Sequence, residues 1–150
     1  FKNDFAKWNL KLDNDLSIKF TNPQVLFGLG SSDITPYFQS ILIDFLPKYL
    51  NVVLQEKYRD KIAEIRIEGH TDTKPIGKTN DAYIDNMELS QGRARNVLAF
   101  LRTQSCFVNL NPEQKDRLQY WLTSNGLSYG RTVDSNYKIS FFSKKRTKRM

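Results

Sequence analysis

The feature that most constrains the fold is an alternating run of residues that ends in a glycine. In Ile62–Gly69, Ile65 and Ile67 point to one side, whereas Arg66 and Glu68 point to the other. A period of two residues is typical of a β-strand with one covered face. Because the covered face needs a partner layer, the strand predicts a sheet against which other elements pack.

Two segments have the helical spacing of apolar residues that such a layer requires. One covers about 86–103 and carries a continuous apolar stripe. The other covers about 36–58, with Thr35 as its N-cap and Pro36 at its first helical position. Pro47 lies inside this second segment and should kink the helix or divide it in two.

The remaining periodic segments complete an alternation of strands and helices. This order favours an α/β fold, in the form of an α+β sandwich with a βαβαβ core and helices packed on a mixed sheet. Further strands are predicted at Leu16–Phe20, Gln24–Phe27, Trp121–Ser124 and Tyr137–Phe142, and short helices at Phe5–Leu10 and, capped by Asn111, at Pro112–Tyr120.

The length of the chain sets its domain organisation. A chain of 150 residues can form one domain with a packed core and is too short for two ordinary domains. We assign 1–15 to a linker or lead-in helix, 16–143 to the domain and 144–150 to a basic tail. No run of about 18 apolar residues is present to span a membrane. Because the chain starts at Phe1 without a signal peptide, we expect it to be part of a longer protein with an anchor upstream.

The basic tail allows a second function to be considered. The net charge is +7, and the five lysine and arginine residues of 144–150 leave +2 for the rest of the chain. Such a tail could bind nucleic acid or an anionic lipid surface. Alternatively, it is a solvated end or the lead-in to a strand that is missing. Cys106 is the single cysteine, so no internal disulfide can form.

A carboxylate is predicted to lie at the carboxyl end of the alternating strand. Asp72 follows Gly69 by three residues, and α/β folds commonly bind ligands at such strand ends. On the next helix, Asn86 and Arg93 lie about 20° apart and Leu89 lies about 40° from Arg93, so the three share one face. If this helix packs beside the strand, Asp72 and Arg93 face one cleft.

Such a pair of charges suits a zwitterionic ligand. Asp72 could hold an ammonium group, and Arg93 could bind a carboxylate through two parallel hydrogen bonds. Backbone N–H groups at the start of the helix, near Asn86, could donate to the same carboxylate. The alternative is an internal ion pair between Asp72 and Arg93 that only fixes the loop. The spacing alone leaves both interpretations open.

Two motifs around these residues resemble a known family. GHTD at 69–72 is followed by N-x-x-L-S-x-x-R-A at 86–94, which is similar to the C-terminal domain of the OmpA family, including peptidoglycan-associated lipoprotein and the flagellar stator protein MotB. The resemblance covers roughly 16–130, and it is specific because it joins two distant segments in the right order. The segments 73–76 and 86–90 look closer to MotB-like stator proteins, and 86–91 and 122–127 are also similar to ZorB-like subunits of antiphage Zorya systems.

The resemblance implies non-catalytic binding of peptidoglycan through its diaminopimelate-containing stem peptide. Asp72 would contact the amine of diaminopimelate, and Arg93 would contact its carboxylate. The other contact residues that the resemblance implies are Thr71, Thr73, Asn86 and Leu89. It further implies an OmpA-like fold with no cofactor or metal, a periplasmic location on a protein anchored in the inner membrane, and no nucleic-acid partner. The implied protein partners are a second copy of the chain and a MotA-like channel subunit.

One departure from the family pattern concerns the end of the chain. Family domains usually close with Asn-Arg-Arg or Ser-Arg-Arg before a last strand, and the arginine helps to shape the pocket. The basic run Lys144–Arg149 matches that pattern poorly. The resemblance therefore predicts either that the last strand is missing or that the tail has diverged.

A catalytic role is the third alternative. His70 could act as a general base beside Asp72 with Ser90 as the nucleophile. However, Ser90 lies inside a predicted helix, without the sharp strand-to-helix turn that presents a nucleophile. A metal site at His70 and Asp72 lacks an evident third ligand. We therefore expect no enzymatic activity.

Overall fold

The computed structural model describes residues 10–12, 18–20, 26–28, 30–69, 77–126 and 139–145. The strands among these residues are β1 (Leu10–Leu12), β2 (Ile18–Phe20), β3 (Ile62–Gly69), β4 (Leu122–Gly126) and β5 (Ile139–Lys145). The α-helices are α1 (Pro36–Val53), α2 (Ala82–Thr103), α3 (Ser105–Val108) and α4 (Pro112–Trp121), and a 3-10 turn covers Glu56–Tyr58.

The strands form one mixed sheet in the order β1-β2-β5-β3-β4. β3 and β4 are parallel, with Gly69 opposite Gly126. The other neighbouring pairs are antiparallel. The chain crosses from β3 to β4 through α2, α3 and α4, as parallel neighbours require. The predicted fold class, helices packed on a mixed sheet, is confirmed.

Of the two alternatives predicted for the end of the chain, a missing last strand and a diverged tail, β5 supports the second, because a strand is present there. It lies between β2 and β3 and pairs with both. The predicted strand Tyr137–Phe142 is therefore present from Ile139 and extends further, to Lys145, while Tyr137 and Lys138 lie outside the described residues. In the register of β5 with β3, Lys144 lies opposite Glu64 and Lys145 lies opposite Ile62. The first two residues of the run that we assigned to the basic tail thus belong to the sheet.

α1 begins where its sequence predicts. The Thr35 side chain accepts a hydrogen bond from the Phe38 amide at 3.2 Å, and Pro36 occupies the first turn, where a missing N–H costs nothing. The helix is continuous through Pro47 and is not divided there. It ends at Val53, so the predicted extension to about Tyr58 is wrong. The buried stripe consists of Phe38, Ile41, Leu42, Phe45, Leu46, Tyr49, Leu50 and Val53.

α2 begins about four residues earlier than its apolar periodicity indicates. Its N-cap is Asp81, whose carboxylate accepts hydrogen bonds from the amides of Tyr83 at 3.0 Å and Ile84 at 3.3 Å. Both Tyr83 and Ile84 are exposed, so they lie outside the buried apolar stripe, and its periodicity does not mark the first turn. Arg95 and Arg102 are exposed.

A single face of the sheet carries the core. The side chains on this face that are buried are Ile18, Phe20, Ile65, Ile67, Ile139 and Phe141. α1 covers β2 and β5 through aromatic contacts, with the Phe45 ring centroid 5.1 Å from that of Phe20 and 5.4 Å from that of Phe141. α2 packs on β3 and β4, and α4 packs on β3. The result is a two-layer sandwich with one hydrophobic core.

Smaller differences from prediction occur at the ends of elements. Leu10 lies in β1 rather than in a helix, and the rest of the predicted Phe5–Leu10 helix lies outside the described residues. Phe27 makes an isolated bridge with Ile34, and Gln24 and Val25 of the predicted strand Gln24–Phe27 lie outside the described residues. Trp121 ends α4, so β4 begins one residue later than predicted. Among the described residues, no helix is both long enough and apolar enough to cross a bilayer.

Candidate functional site

Two glycines fix α2 at the carboxyl ends of β3 and β4. A Cβ at Gly69 would overlap the backbone carbonyl oxygen of Ser90 and lie 2.8 Å from its carbonyl carbon. A Cβ at Gly126 would lie 2.5 Å from the Gln91 amide nitrogen and 2.6 Å from the Ser90 Oγ. Only glycine permits so close an approach of a helix backbone to two strands. The middle of α2 is therefore held beside the sheet edge from which 70–76 departs.

The predicted helical face is present. Asn86 and Arg93 lie two turns apart on the side of α2 that faces the protein, and their exposed fractions are only 1% and 5%. Leu89 is half-buried at the edge of the same face. The structure thus brings together the three predicted site residues of α2.

Arg93 is oriented by a turn that is distant in sequence. Its Nε donates a hydrogen bond to the Ser31 carbonyl at 2.9 Å, and its Nη2 donates to the Gly28 carbonyl at 3.4 Å. The guanidinium carbon lies 4.9 Å from the centroid of the Phe27 ring, within the range of a cation–π contact. These contacts hold the plane of the guanidinium in one orientation at the face of α2.

The same turn is bound by a second residue of α2. The Asn96 side-chain amide donates to the Ser32 carbonyl at 2.7 Å. Gly92 lies against Ser32 so closely that a Cβ there would be 3.1 Å from the Ser32 Cβ. α2 therefore holds the turn at 28–32 with two polar side chains and one close backbone approach. The contacts of this turn with Arg93 and Asn96 were not predicted from the sequence.

A buried carboxylate lies one residue before Asn86. Asp85 is 2% exposed. Its Oδ2 accepts a hydrogen bond from the Thr79 amide at 2.9 Å, and its Oδ1 accepts one from the Thr79 hydroxyl at 2.8 Å. The hydrogen bond from the Thr79 amide, supported by the Thr79 hydroxyl and by Lys78, holds the pKa of Asp85 below its usual value despite burial. Sequence reasoning missed Asp85 because the helix was predicted to begin only at about residue 86.

The other predicted site residues lie outside the described residues. These are His70, Thr71, Asp72 and Thr73. The meeting of Asp72 with Arg93 in one cleft therefore stays a prediction. The structure describes the strand end that precedes these residues and the segment 77–81 that follows them.

One predicted contribution to the site is wrong. Asn86 was expected near the start of the helix, where unpaired N–H groups could bind a carboxylate. α2 instead begins at Ala82, which places Asn86 in its second turn. The amides of Tyr83 and Ile84 are bound by Asp81.

In the described part of the chain, neither Ser90 nor the residue types that bind metals are arranged for catalysis. The Ser90 hydroxyl is fully buried in α2 and donates to the Met87 carbonyl at 2.9 Å. No group of three or more His, Cys, Asp or Glu residues that could hold a metal ion occurs among the described residues. Cys106 is half-buried, and burial raises the pKa of its thiol.

Comparison with known sequences gives one family and one curated relative. A sequence model of the OmpA family matches residues 26–135. The Zorya protein ZorB of Escherichia coli is 47% identical over 104 residues, which are 67% of this chain and 43% of ZorB. The chain therefore spans less than half of the length of that relative.

Comparison with solved structures supports the same architecture. The cell wall anchor of the T6SS from Pseudomonas aeruginosa superposes with a TM-score of 0.62 at 18% identity, over 95% of this chain and 94% of that one. A periplasmic domain of Helicobacter pylori MotB superposes with a TM-score of 0.61 at 18% identity, over 92% and 79%. A putative MotB-like protein from Desulfovibrio vulgaris gives 0.58 at 21%, over 98% and 88%. At these identities the likeness shows the fold.

Proposed function

The chain belongs to the OmpA family, and on that premise we propose that it binds peptidoglycan without catalysing a reaction and anchors a membrane protein to the cell wall. The observation that carries the proposal is the placement of Asn86 and Arg93. Both occupy the positions of the family motif, and both lie on the face of α2 that is held beside the end of β3.

The proposed ligand is the diaminopimelate-containing stem peptide. Arg93 binds its carboxylate, and Asp72 binds its amine. A guanidinium carries five N–H donors, and the Ser31 and Gly28 carbonyls engage the Nε and Nη2 groups of Arg93. Their contacts fix the orientation of the fork that a bidentate carboxylate contact needs. The proposed contacts that complete the site are Thr71, Thr73, Asn86 and Leu89.

The proposed parent protein is a MotB-like or ZorB-like subunit. The similarity of this chain to ZorB supports a role of the parent protein as a stator or antiphage motor subunit. In this proposal the domain is periplasmic, its parent is anchored in the inner membrane, and its partners are a second copy and a MotA-like channel subunit. Because the chain matches 43% of ZorB, these assignments concern the whole protein and go beyond the domain itself.

The proposal is tested by co-sedimentation with purified sacculi. We expect the wild-type chain to bind and both Asp72→Ala and Arg93→Ala to bind about tenfold more weakly, since each loses a hydrogen bond to a charged group. Arg95→Ala is the matched control, because Arg95 is an exposed arginine two residues further along the same helix. Its binding should equal that of the wild type.

Two outcomes would contradict the proposal. Equal retention of the wild type, Asp72→Ala and Arg93→Ala on sacculi would end the assignment of the site. Soluble peptidoglycan fragments appearing in the supernatant of the wild type would show a catalytic rather than a binding function. Thermal unfolding of Arg93→Ala, measured beside that of Arg95→Ala, shows whether a loss of binding to sacculi is caused by a loss of folding.

A further inference from the structure

A groove on α4 lies near the start of β4. It has a volume of about 550 Å³, within the range of sites that hold small organic ligands. α4 leads directly into β4, whose first residue, Leu122, lies opposite Ile65, whereas Gly126 at its other end lies opposite Gly69. The groove and the strand end at Gly69 are therefore at opposite ends of β4. The lining residues of the groove are Arg59, Glu113, Asp116, Arg117, Tyr120 and Trp121.

A network of ion pairs fixes two guanidinium groups in the groove. The Arg117 side chain is only 8% exposed, and its Nη2 donates to both carboxylate oxygens of Glu113 at 2.7 and 2.9 Å. Its Nη1 donates to the Leu54 carbonyl at 3.3 Å. Arg59 lies 3.0 Å from the Glu113 carboxylate and 3.1 Å from that of Glu56. Because these groups hold one another, a ligand meets a polar surface that is already ordered, which lowers the entropic cost of binding.

Two further side chains of the groove are outside this network. Asp116 and Tyr120 are exposed and lie four residues apart on α4, so they are neighbours on one face of the helix. Among the described residues, neither side chain has a hydrogen-bond or ion-pair partner. The Tyr120 ring is part of a residue that is 74% exposed, so it offers an apolar surface to a ligand.

The charges of the lining residues indicate the class of ligand. Two arginines and two acidic residues line the groove, so their formal charges cancel and favour neither an anion nor a cation. Guanidinium groups only donate hydrogen bonds, and carboxylates only accept them, whereas a hydroxyl group does both. A ligand with several hydroxyl groups can therefore bind both kinds of side chain. A sugar ring also has an apolar face that can lie on the exposed ring of Tyr120.

We propose that the groove on α4 binds a neutral saccharide, the N-acetylated sugar units of the glycan strand of peptidoglycan. Tyr120 stacks on a sugar ring, and Asp116 accepts hydrogen bonds from its hydroxyl groups. The choice of the glycan strand rests on the proposed function, whereas the choice of a saccharide rests on the groove. Because the stem-peptide site is proposed at the other end of β4, one domain contacts the polymer at two places, and two linked contacts raise the overall affinity.

The test is an NMR titration of the isotope-labelled chain with the tetramer of N-acetylglucosamine, a soluble neutral saccharide. We expect the amide signals of 116–121 to shift in the wild type. Tyr120→Ala should bind about fivefold more weakly, because it loses the ring on which the sugar stacks. Asp116→Asn should also bind about fivefold more weakly, because a hydrogen bond to a charged group becomes a neutral one. Tyr120→Phe keeps the ring and should stay within about twofold of the wild type.

Tyr37→Ala is the matched control for Tyr120→Ala. Tyr37 is an exposed tyrosine in the first turn of α1, whereas Arg117 contacts the chain just after the other end of that helix, at Leu54. The affinity of Tyr37→Ala for the tetramer should equal that of the wild type. Lysine amide is the control ligand, and at the same concentration this cation should leave the signals of 116–121 unshifted.

Three results would overturn the inference. These are a wild type whose signals at 116–121 do not respond to the tetramer, wild-type affinity in Tyr120→Ala, and equal binding of lysine amide. Failure of the proposed function looks different, because the wild type would then bind the tetramer but would not sediment with sacculi. That result would end the assignment to the glycan strand and leave a saccharide site.

Discussion

At the scale of one residue, Arg93 makes a structural contact and also has a proposed role in binding. Its guanidinium joins α2 to the turn at 28–32 and packs on Phe27. The helical period was enough to predict that Arg93 shares a face with Asn86, because 100° per residue fixes relative direction along one helix. It was not enough to predict the Ser31 and Gly28 carbonyls, which lie more than 60 residues away in the chain and leave no local pattern.

Asp85 leads to a prediction about pH. Its pKa in the folded chain lies below the ordinary value of 3.8, chiefly because the Thr79 amide donates to it. A carboxyl with a lowered folded pKa contributes stability that is fully present above the unfolded pKa and is lost as pH falls through the folded pKa. We therefore expect the unfolding free energy of the wild type to exceed that of Asp85→Asn at neutral pH and the difference to shrink below about pH 4.

Urea unfolding of both proteins between neutral and acidic pH measures this difference. Asp116→Asn is a suitable comparison, because it removes an exposed aspartate from α4. A difference between wild type and Asp85→Asn that stays constant over the whole pH range would show that the charge of Asp85 has no part in its contact with Thr79.

At the scale of elements, the close contact between α2 and the sheet determines where the proposed site lies. The start of α1 was predictable because Thr35 and Pro36 give a local signal. The start of α2 was not, since its first turn exposes Tyr83 and Ile84 and is defined by the cap at Asp81. The strand order could not be predicted either. The alternation of apolar and polar residues indicates which face of a strand is covered but not which strand lies beside it.

Gly126→Ala tests the contact between α2 and β4. The added Cβ would lie 2.5 Å from the Gln91 amide nitrogen, a backbone atom that can only move with the helix. We expect a loss of about 1–3 kcal/mol in unfolding free energy, as for other forced insertions into packed sites. Chemical denaturation measures the loss.

Gly28→Ala is the matched control for Gly126→Ala. A Cβ at Gly28 would be 3.4 Å from the Ser31 Cβ, which is close to an ordinary contact. Its unfolding free energy should stay within about 0.5 kcal/mol of the wild type. Equal stability of the two glycine variants would show that α2 does not need its close approach to the sheet.

At the scale of the whole molecule, the alternation of strands and helices was sufficient to predict a two-layer sandwich. The patterns at Ile62–Gly69 and along both long helices identified most of the core. The position of β5 inside the sheet could not be predicted, because its neighbours β2 and β3 are distant in sequence. Because the position of β5 was not predicted, the basic segment that starts at Lys144, inside β5, was interpreted as a separate tail.

Truncation separates the tail from the sheet. Removing 146–150 leaves β5 intact, so we expect unchanged thermal unfolding and unchanged binding to sacculi. Removing 139–150 deletes the strand between β2 and β3, and we expect this variant not to fold. Loss of sacculus binding in the shorter truncation would instead favour a function that resides in the basic residues, and its dependence on salt would then identify an electrostatic contact.

The central position of β5 also has a consequence for biosynthesis. β5 follows every other described strand in the chain but joins the two sides of the sheet. Until the ribosome has added β5, the strands β2 and β3 lack the strand that pairs with both of them. Synthesis interrupted before β5 would therefore yield a product open to proteases and chaperones rather than a smaller working module, and completion of the sheet must await the seven residues of β5.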